Sequence, residues 1–163
     1  MNCLRALVLG LLCAACVFCQ STVFVVRHAD RYGTEPDPSI TEEGRRQAVA
    51  LAALLADSRI TRIFTSDALR THQTAAPTAQ HFRLKPIAVP SENLDELIRQ
   101  VRQGLRDGES TLIVGHRGTV PRIVKALTGK EVPPLQVDEY DRLEVLTLVS
   151  GSPAGVITLR FGH

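Results

Sequence analysis

Tryptophan is absent from the 163 residues, methionine occurs once, and aromatic residues make up 4% of the chain. Without aromatics interleaved among basic side chains there is no platform on which nucleic-acid bases stack. An excess of one charge is missing too: 19 Lys and Arg face 17 Asp and Glu, a formal net charge of +2. Both signs are scattered along the chain, so no face is dense enough for counterion-driven binding, and nucleic acid is not an expected partner. Cysteine is confined to Cys3, Cys13, Cys16 and Cys19. The rest of the chain therefore holds neither a disulfide framework nor a cysteine zinc site.

Those cysteines fall in a segment of distinct character. Arg5 precedes an almost wholly apolar stretch over residues 6–18, with Ala14 and Ala15 near its end. This is the layout of a secretory signal peptide, expected over residues 1–19 with its cleavage point left open. The stretch is short for a bilayer span, so stable membrane insertion after cleavage is not expected. Lipid attachment at Cys16 ranks second, because Cys13 stands where that processing signal usually has a small or aliphatic residue. A periplasmic or extracellular location follows as an expectation. Residues 20–163, from a chain with 44% apolar content, suit a single domain with one core.

Along that domain, strand-like and helix-like patterns alternate. Val23, Phe24, Val25 and Val26 form a short apolar run typical of a buried strand, and Gly33, Pro36 and Pro38 mark residues 31–40 as a loop. Thr41 suits a helix N-cap, and Ala48, Leu51, Ala52 and Leu55 make an apolar stripe through about Asp57. A second strand is expected over residues 60–65, a helix over 67–79 with Arg70 in its first turn, and a short strand over 86–89. Asn93 opens an amphipathic helix ending near Gly108, with Glu96 placed for a capping box. A strand over 111–114, a helix over 119–127, and an antiparallel hairpin of 143–149 with 156–161 complete the chain. The order predicts an α/β fold: a three-layer, doubly wound, mostly parallel sheet, helices on both faces, and the hairpin at one edge.

Three of these strands end in basic groups. The first runs into Arg27-His28-Ala29-Asp30, the second into Ser66-Asp67-Ala68-Leu69-Arg70, and the fourth into Gly115-His116-Arg117. In a parallel sheet the strands' carboxyl ends share one edge, where ligand sites form, so Arg27, His28, Arg70 and His116 are expected to converge. Guanidinium forks match phosphate oxygens, and an imidazole beside them is a phosphoryl acceptor.

On these residues the chain resembles the histidine phosphatase superfamily, with its phosphoglycerate-mutase-like fold. Arg27-His28-Ala29 corresponds to its Arg-His-Gly signature, the segment from Ser66 to Ala75 to its second arginine segment, and Gly115-His116 to its second histidine. Within the superfamily it is most similar to small exported bacterial members, which often carry Ala at the Gly position. The resemblance implies a metal-independent phosphatase without a cofactor, acting on a phosphorylated small molecule or a phosphoprotein. It implies His28 as nucleophile, and Arg27, Arg70 and His116 as ligands of the phosphoryl group.

An ordinary ester also needs a proton for its leaving oxygen. Asp30 is the first candidate, because exported relatives often carry an acidic residue there, and Glu92 the second. Asp95 and Glu96 are accounted for by helix-start roles. Three alternatives stay open: a non-catalytic phosphate or phosphosugar binder, a phosphomutase, and a metallohydrolase with His28, Asp30 and His116 as ligands. His72, His81 and His163 lack a comparable context and read as surface or local structural residues.

Overall fold

The computed structural model describes residues 20–33, 35–106, 108–149 and 154–162. The segment read as a signal peptide with its four cysteines, His163, and the hairpin turn at Gly151, Ser152 and Pro153 lie outside the described residues.

Strands β1 (Gln20–Arg27), β2 (Ile60–Thr65), β3 (Ile87–Ala88), β4 (Ser110–Gly115), β5 (Arg142–Val149) and β6 (Gly155–Arg160) form one six-stranded sheet. Its order is β3-β2-β4-β1-β5-β6. The first four strands in that order are parallel, and β5 and β6 add the antiparallel edge. The expected α/β architecture with its edge hairpin is therefore present. Helices α1 (Glu42–Leu54), α2 (Leu69–Phe82), α3 (Leu94–Gln103) and α4 (Val120–Thr128) connect the strands.

Alternation along β1 sorts the core into two layers, as the two-residue strand period requires. Val23 and Val25 pack with Val101 of α3 and Ile123 and Val124 of α4. Phe24 and Val26 pack with Leu51 of α1 and Ala75 and Ala79 of α2. Each such valine, leucine, isoleucine or phenylalanine, taken fully out of water, contributes roughly 1.5–3 kcal/mol. Fixing both layers at once also fixes the level at which β1 ends, because a one-residue slip would exchange its two faces.

Helix ends depart from the sequence expectation where tertiary contacts decide them. Thr41 caps α1 as expected, its hydroxyl accepting the Gly44 N–H at 2.9 Å. That helix stops at Leu54 rather than Asp57, because the backbone tightens: Ala56 and Ser58 donate to Ala53 and Leu55, three residues back. Helix α3 stops at Gln103 rather than near Gly108. The Arg62 guanidinium donates to the carbonyls of Gln100 and Val101 at 2.9 and 3.0 Å, satisfying the last turn from outside. It also fills the place where a Gly104 Cβ would stand, 1.8 Å from its nearest atom. The expected capping box does not form. Asn93 makes no side-chain cap, and Glu96 accepts from Arg99 and Gln100 instead.

Candidate active site

Register brings the basic strand ends level. Arg27 of β1 lies opposite Gly115 of β4, Val114 opposite Thr65 of β2, and the His28 N–H donates to the Gly115 carbonyl at 2.9 Å. Gly115 permits the close approach expected of it: a Cβ there would stand 2.8 Å from the Thr119 hydroxyl, which accepts the His116 N–H.

His28 is 4% exposed, and its Nδ1 lies 2.8 Å from the Ala29 carbonyl oxygen. A carbonyl can only accept, so Nδ1 carries the proton and Nε2 keeps its lone pair. Burial pushes the His28 pKa down to about 3; the Ala29 carbonyl opposes that shift, while His116, Arg27 and Arg70 add to it. The ring is thus neutral at pH 7. Ala29 is not among the described residues with positive φ, so alanine fits in place of the family glycine without strain.

Arg27 is buried beside it. One terminal nitrogen donates to the carbonyls of Gln136, Val137 and Glu139 at 3.1, 2.8 and 3.2 Å. The Tyr140 ring stacks on the guanidinium, 3.9 Å from carbon to centroid. Arg70 projects from the first turn of α2, 3.4 Å from both the Asp37 carboxylate and His116 Nδ1. The Nε atoms of Arg27 and Arg70 are buried and have no hydrogen-bond partner.

The His116 ring lies 5.3 Å from the His28 ring, centroid to centroid. Arg70 can only donate, so His116 Nδ1 accepts, and its Nε2–H donates to the Ser66 hydroxyl at 2.9 Å. The Ser66 hydroxyl donates in turn to the Thr71 hydroxyl at 3.1 Å, which donates to the Ala68 carbonyl at 2.7 Å. Burial, with Arg70 next, lowers the His116 pKa to about 4, against an opposing contribution from Asp67. Thr74 ties two segments together, accepting the Ala29 N–H at 2.9 Å while donating to the Arg70 carbonyl.

The four groups border an open cavity of about 340 Å³, whose wall also includes Arg31, Ser91, Arg117, Gly118 and Thr119. Among the described residues of this wall there is no carboxylate. Neither proposed acid is brought to it. Asp30 is used by the start of α1: its carboxylate accepts the Thr41 hydroxyl at 2.8 Å, and its carbonyl accepts the Thr41 N–H. Glu92 is exposed and contacts the Ser91 hydroxyl at 3.4 Å. Nor do His28, Asp30 and His116 assemble as a ligand set, since no group of three or more metal-binding side chains gathers among the described residues.

Sequence reasoning missed the parts that hold these groups. Ser66 and Thr74 lie inside the segment that carried the resemblance, and Tyr140 is one of few aromatics. The three carbonyls on Arg27 leave no trace in side-chain identity.

Comparison with protein-family models matches residues 23–105, just over half of the chain, to the histidine phosphatase superfamily, branch 1. The chain belongs to that superfamily. Its enzyme class is accordingly that of a phosphatase. The matched stretch contains Arg27, His28 and Arg70 and ends before His116, which the fold supplies. No curated protein matches the sequence. Among solved structures, the protein histidine phosphatase SixA complexed with tungstate superposes with a TM-score of 0.68 at 21% identity, over 85% of this chain and 96% of that one. The alpha-ribazole phosphatase from Shigella flexneri gives 0.68 at 16% identity, over 85% and 96%. A mycobacterial glucosyl-3-phosphoglycerate phosphatase gives 0.62 at 15% identity, over 78% and 90%. These likenesses are of fold.

Proposed function

We propose that this phosphatase transfers the phosphoryl group of its substrate to Nε2 of His28 and then to water. The observation that carries the reading is the convergence of the Arg27 and Arg70 guanidinium groups and a buried, neutral imidazole on one cavity. In the first step the His28 nitrogen–phosphorus bond forms as the bond to the leaving group breaks. In the second, water attacks phosphorus and the nitrogen–phosphorus bond breaks, returning His28 neutral. Arg27 and Arg70 neutralise the equatorial oxygens in both steps, and the neutral His116, tied to Ser66 and Arg70, holds the Arg70 guanidinium beside them.

With Asp30 engaged at α1 and Glu92 outside the cavity wall, the leaving group takes its proton from solvent. Substrates that leave without strong acid assistance, aryl phosphates and phosphoramidates such as phosphohistidine, suit this site best. SixA, one of the solved relatives, is a protein histidine phosphatase. On the sequence alone, we also propose that residues 1–19 direct export and that the enzyme acts outside the cytoplasm.

The test is p-nitrophenyl phosphate hydrolysis with a chelator present. His28→Ala is expected to lose at least ~10³-fold in kcat with an unchanged circular dichroism spectrum. An acid-labile, base-stable phosphoenzyme is expected in wild type alone. Wild-type rates in the His28 variant would end this mechanism.

A further inference from the structure

The cavity carries more positive charge than one phosphoryl group uses. Arg27 and Arg70 line it beside His28 and His116, and Arg31 and Arg117 stand in the same wall. Arg117 follows His116 directly, is exposed, and has no hydrogen-bond or ion-pair partner among the described residues. Beside it, Gly118 has nothing within 4 Å of where a Cβ would be, so this part of the wall is open. Arg31 reaches in from the loop after β1, held by one nitrogen on the carbonyls of Tyr32 and Gly33. Both are near enough to Arg27 to disfavour its charge. Asp37 contacts Arg70 at 3.4 Å, and Asp30 and Asp67 offset part of the positive field at Arg27 and His116 from outside the cavity wall. Like charges gathered around a wall that itself holds no carboxylate repel one another, and an anion that spans them removes that repulsion.

We propose that Arg117, assisted by Arg31, binds a second anionic group of the substrate, a carboxylate or a further phosphate, while the phosphoryl group sits between Arg27, Arg70 and His28. The inference rests on the phosphatase reading and narrows it. The preferred substrate is a small phosphorylated molecule that is itself doubly anionic in function, not a neutral alcohol ester. Arg117 then acts on specificity and takes no part in the bond changes.

Three matched esters test this: 3-carbamoylphenyl phosphate, 3-carboxyphenyl phosphate and 3-phosphonophenyl phosphate. The first two have nearly the same shape, and the carbamoyl compound has the slightly better leaving group, so a preference for the carboxylate cannot come from the chemistry of departure. Wild type is expected to favour the two charged esters about tenfold in kcat/KM, the scale of one charge-assisted hydrogen bond at an exposed site. A larger preference for one of the two tells carboxylate from phosphate. Arg117→Ala is expected to bring the ratio near one, and Arg117→Lys to keep a preference. Equal rates in wild type, or a preference that survives Arg117→Ala, overturns the second subsite and leaves the phosphatase standing. If none of the esters is hydrolysed, the phosphatase reading fails instead. Calorimetric binding of the same esters then decides the subsite: tighter binding of the charged pair, lost in Arg117→Ala, retains it, and equal binding overturns it.

Discussion

Two buried guanidinium groups, those of Arg27 and Arg142, donate hydrogen bonds to the loop over residues 133–141. Arg142 is 5% exposed and fully partnered, with Glu144 at 2.6 Å, the Glu139 carboxylate at 3.7 Å and the Pro133 carbonyl at 2.8 Å. Glu144, itself 0% exposed, also accepts the Thr158 hydroxyl at 2.7 Å. Arg27 is 6% exposed, contacts the same loop only through carbonyl oxygens and an aromatic ring, and leaves Nε without a partner. A charge is held inside a protein when opposite charge and hydrogen bonds accompany it. Arg142 has its carboxylates built in, whereas Arg27 has a cavity where its carboxylate would be.

The contrast breaks if both arginines respond alike to removal. Arg142→Ala strands the Glu144 carboxylate and is expected to cost about 3–5 kcal/mol in urea unfolding. Arg27→Ala is expected to lower kcat/KM by roughly 10²–10³-fold, as loss of a transition-state donor does, with less than half that stability loss. Equal destabilisation by the two would mean that Arg27 is structural. A tetrahedral oxyanion sharpens the difference further. Tungstate at about 100 times its Kd is expected to stabilise wild type by about 2.7 kcal/mol and Arg142→Lys similarly, with little effect on Arg27→Ala.

Smaller effects probe the second histidine. Ser66→Ala frees His116 Nε2 and is expected to lower kcat about tenfold with KM little changed, since the hydroxyl acts by holding the ring. At neutral pH the titration of the rings costs nothing, and its effect emerges only in acid. His28 and His116 are held at about 3 and about 4, below the ordinary 6.5 that applies in the unfolded chain. Their contribution to stability is therefore complete above pH 6.5 and is lost as pH falls through 4 and 3. His28→Asn is expected to flatten that acid limb in a pH series of denaturant midpoints, and an unchanged limb would show that His28 is not buried neutral.

Element order, sheet class and the four convergent groups were legible because each has a local signature: apolar runs that end in Arg or His, and helical stripes between them. Positions of helix ends were less so. Arg62, 38 residues before Gln100, caps the last turn of α3, and no local pattern announces that. Asp30 reads as an acid from its place two residues after His28, yet the N-cap of α1 arrives from the far side of a loop and takes its carboxylate. Tyr140 and the carbonyls of loop 133–141 reach Arg27 only after β5 has paired with β1, a long-range event that pattern alone does not show.

That pairing also orders events in time. β1 leads directly into His28 and, among the described residues, pairs only with β4, which starts at Ser110, and β5, which starts at Arg142. As the polypeptide leaves the ribosome, its first strand must wait for nearly the last ones. Long-range closure of this kind is slow and cooperative. Arg27, His28 and the centre of the sheet are therefore set in place together, once nearly the whole chain is available.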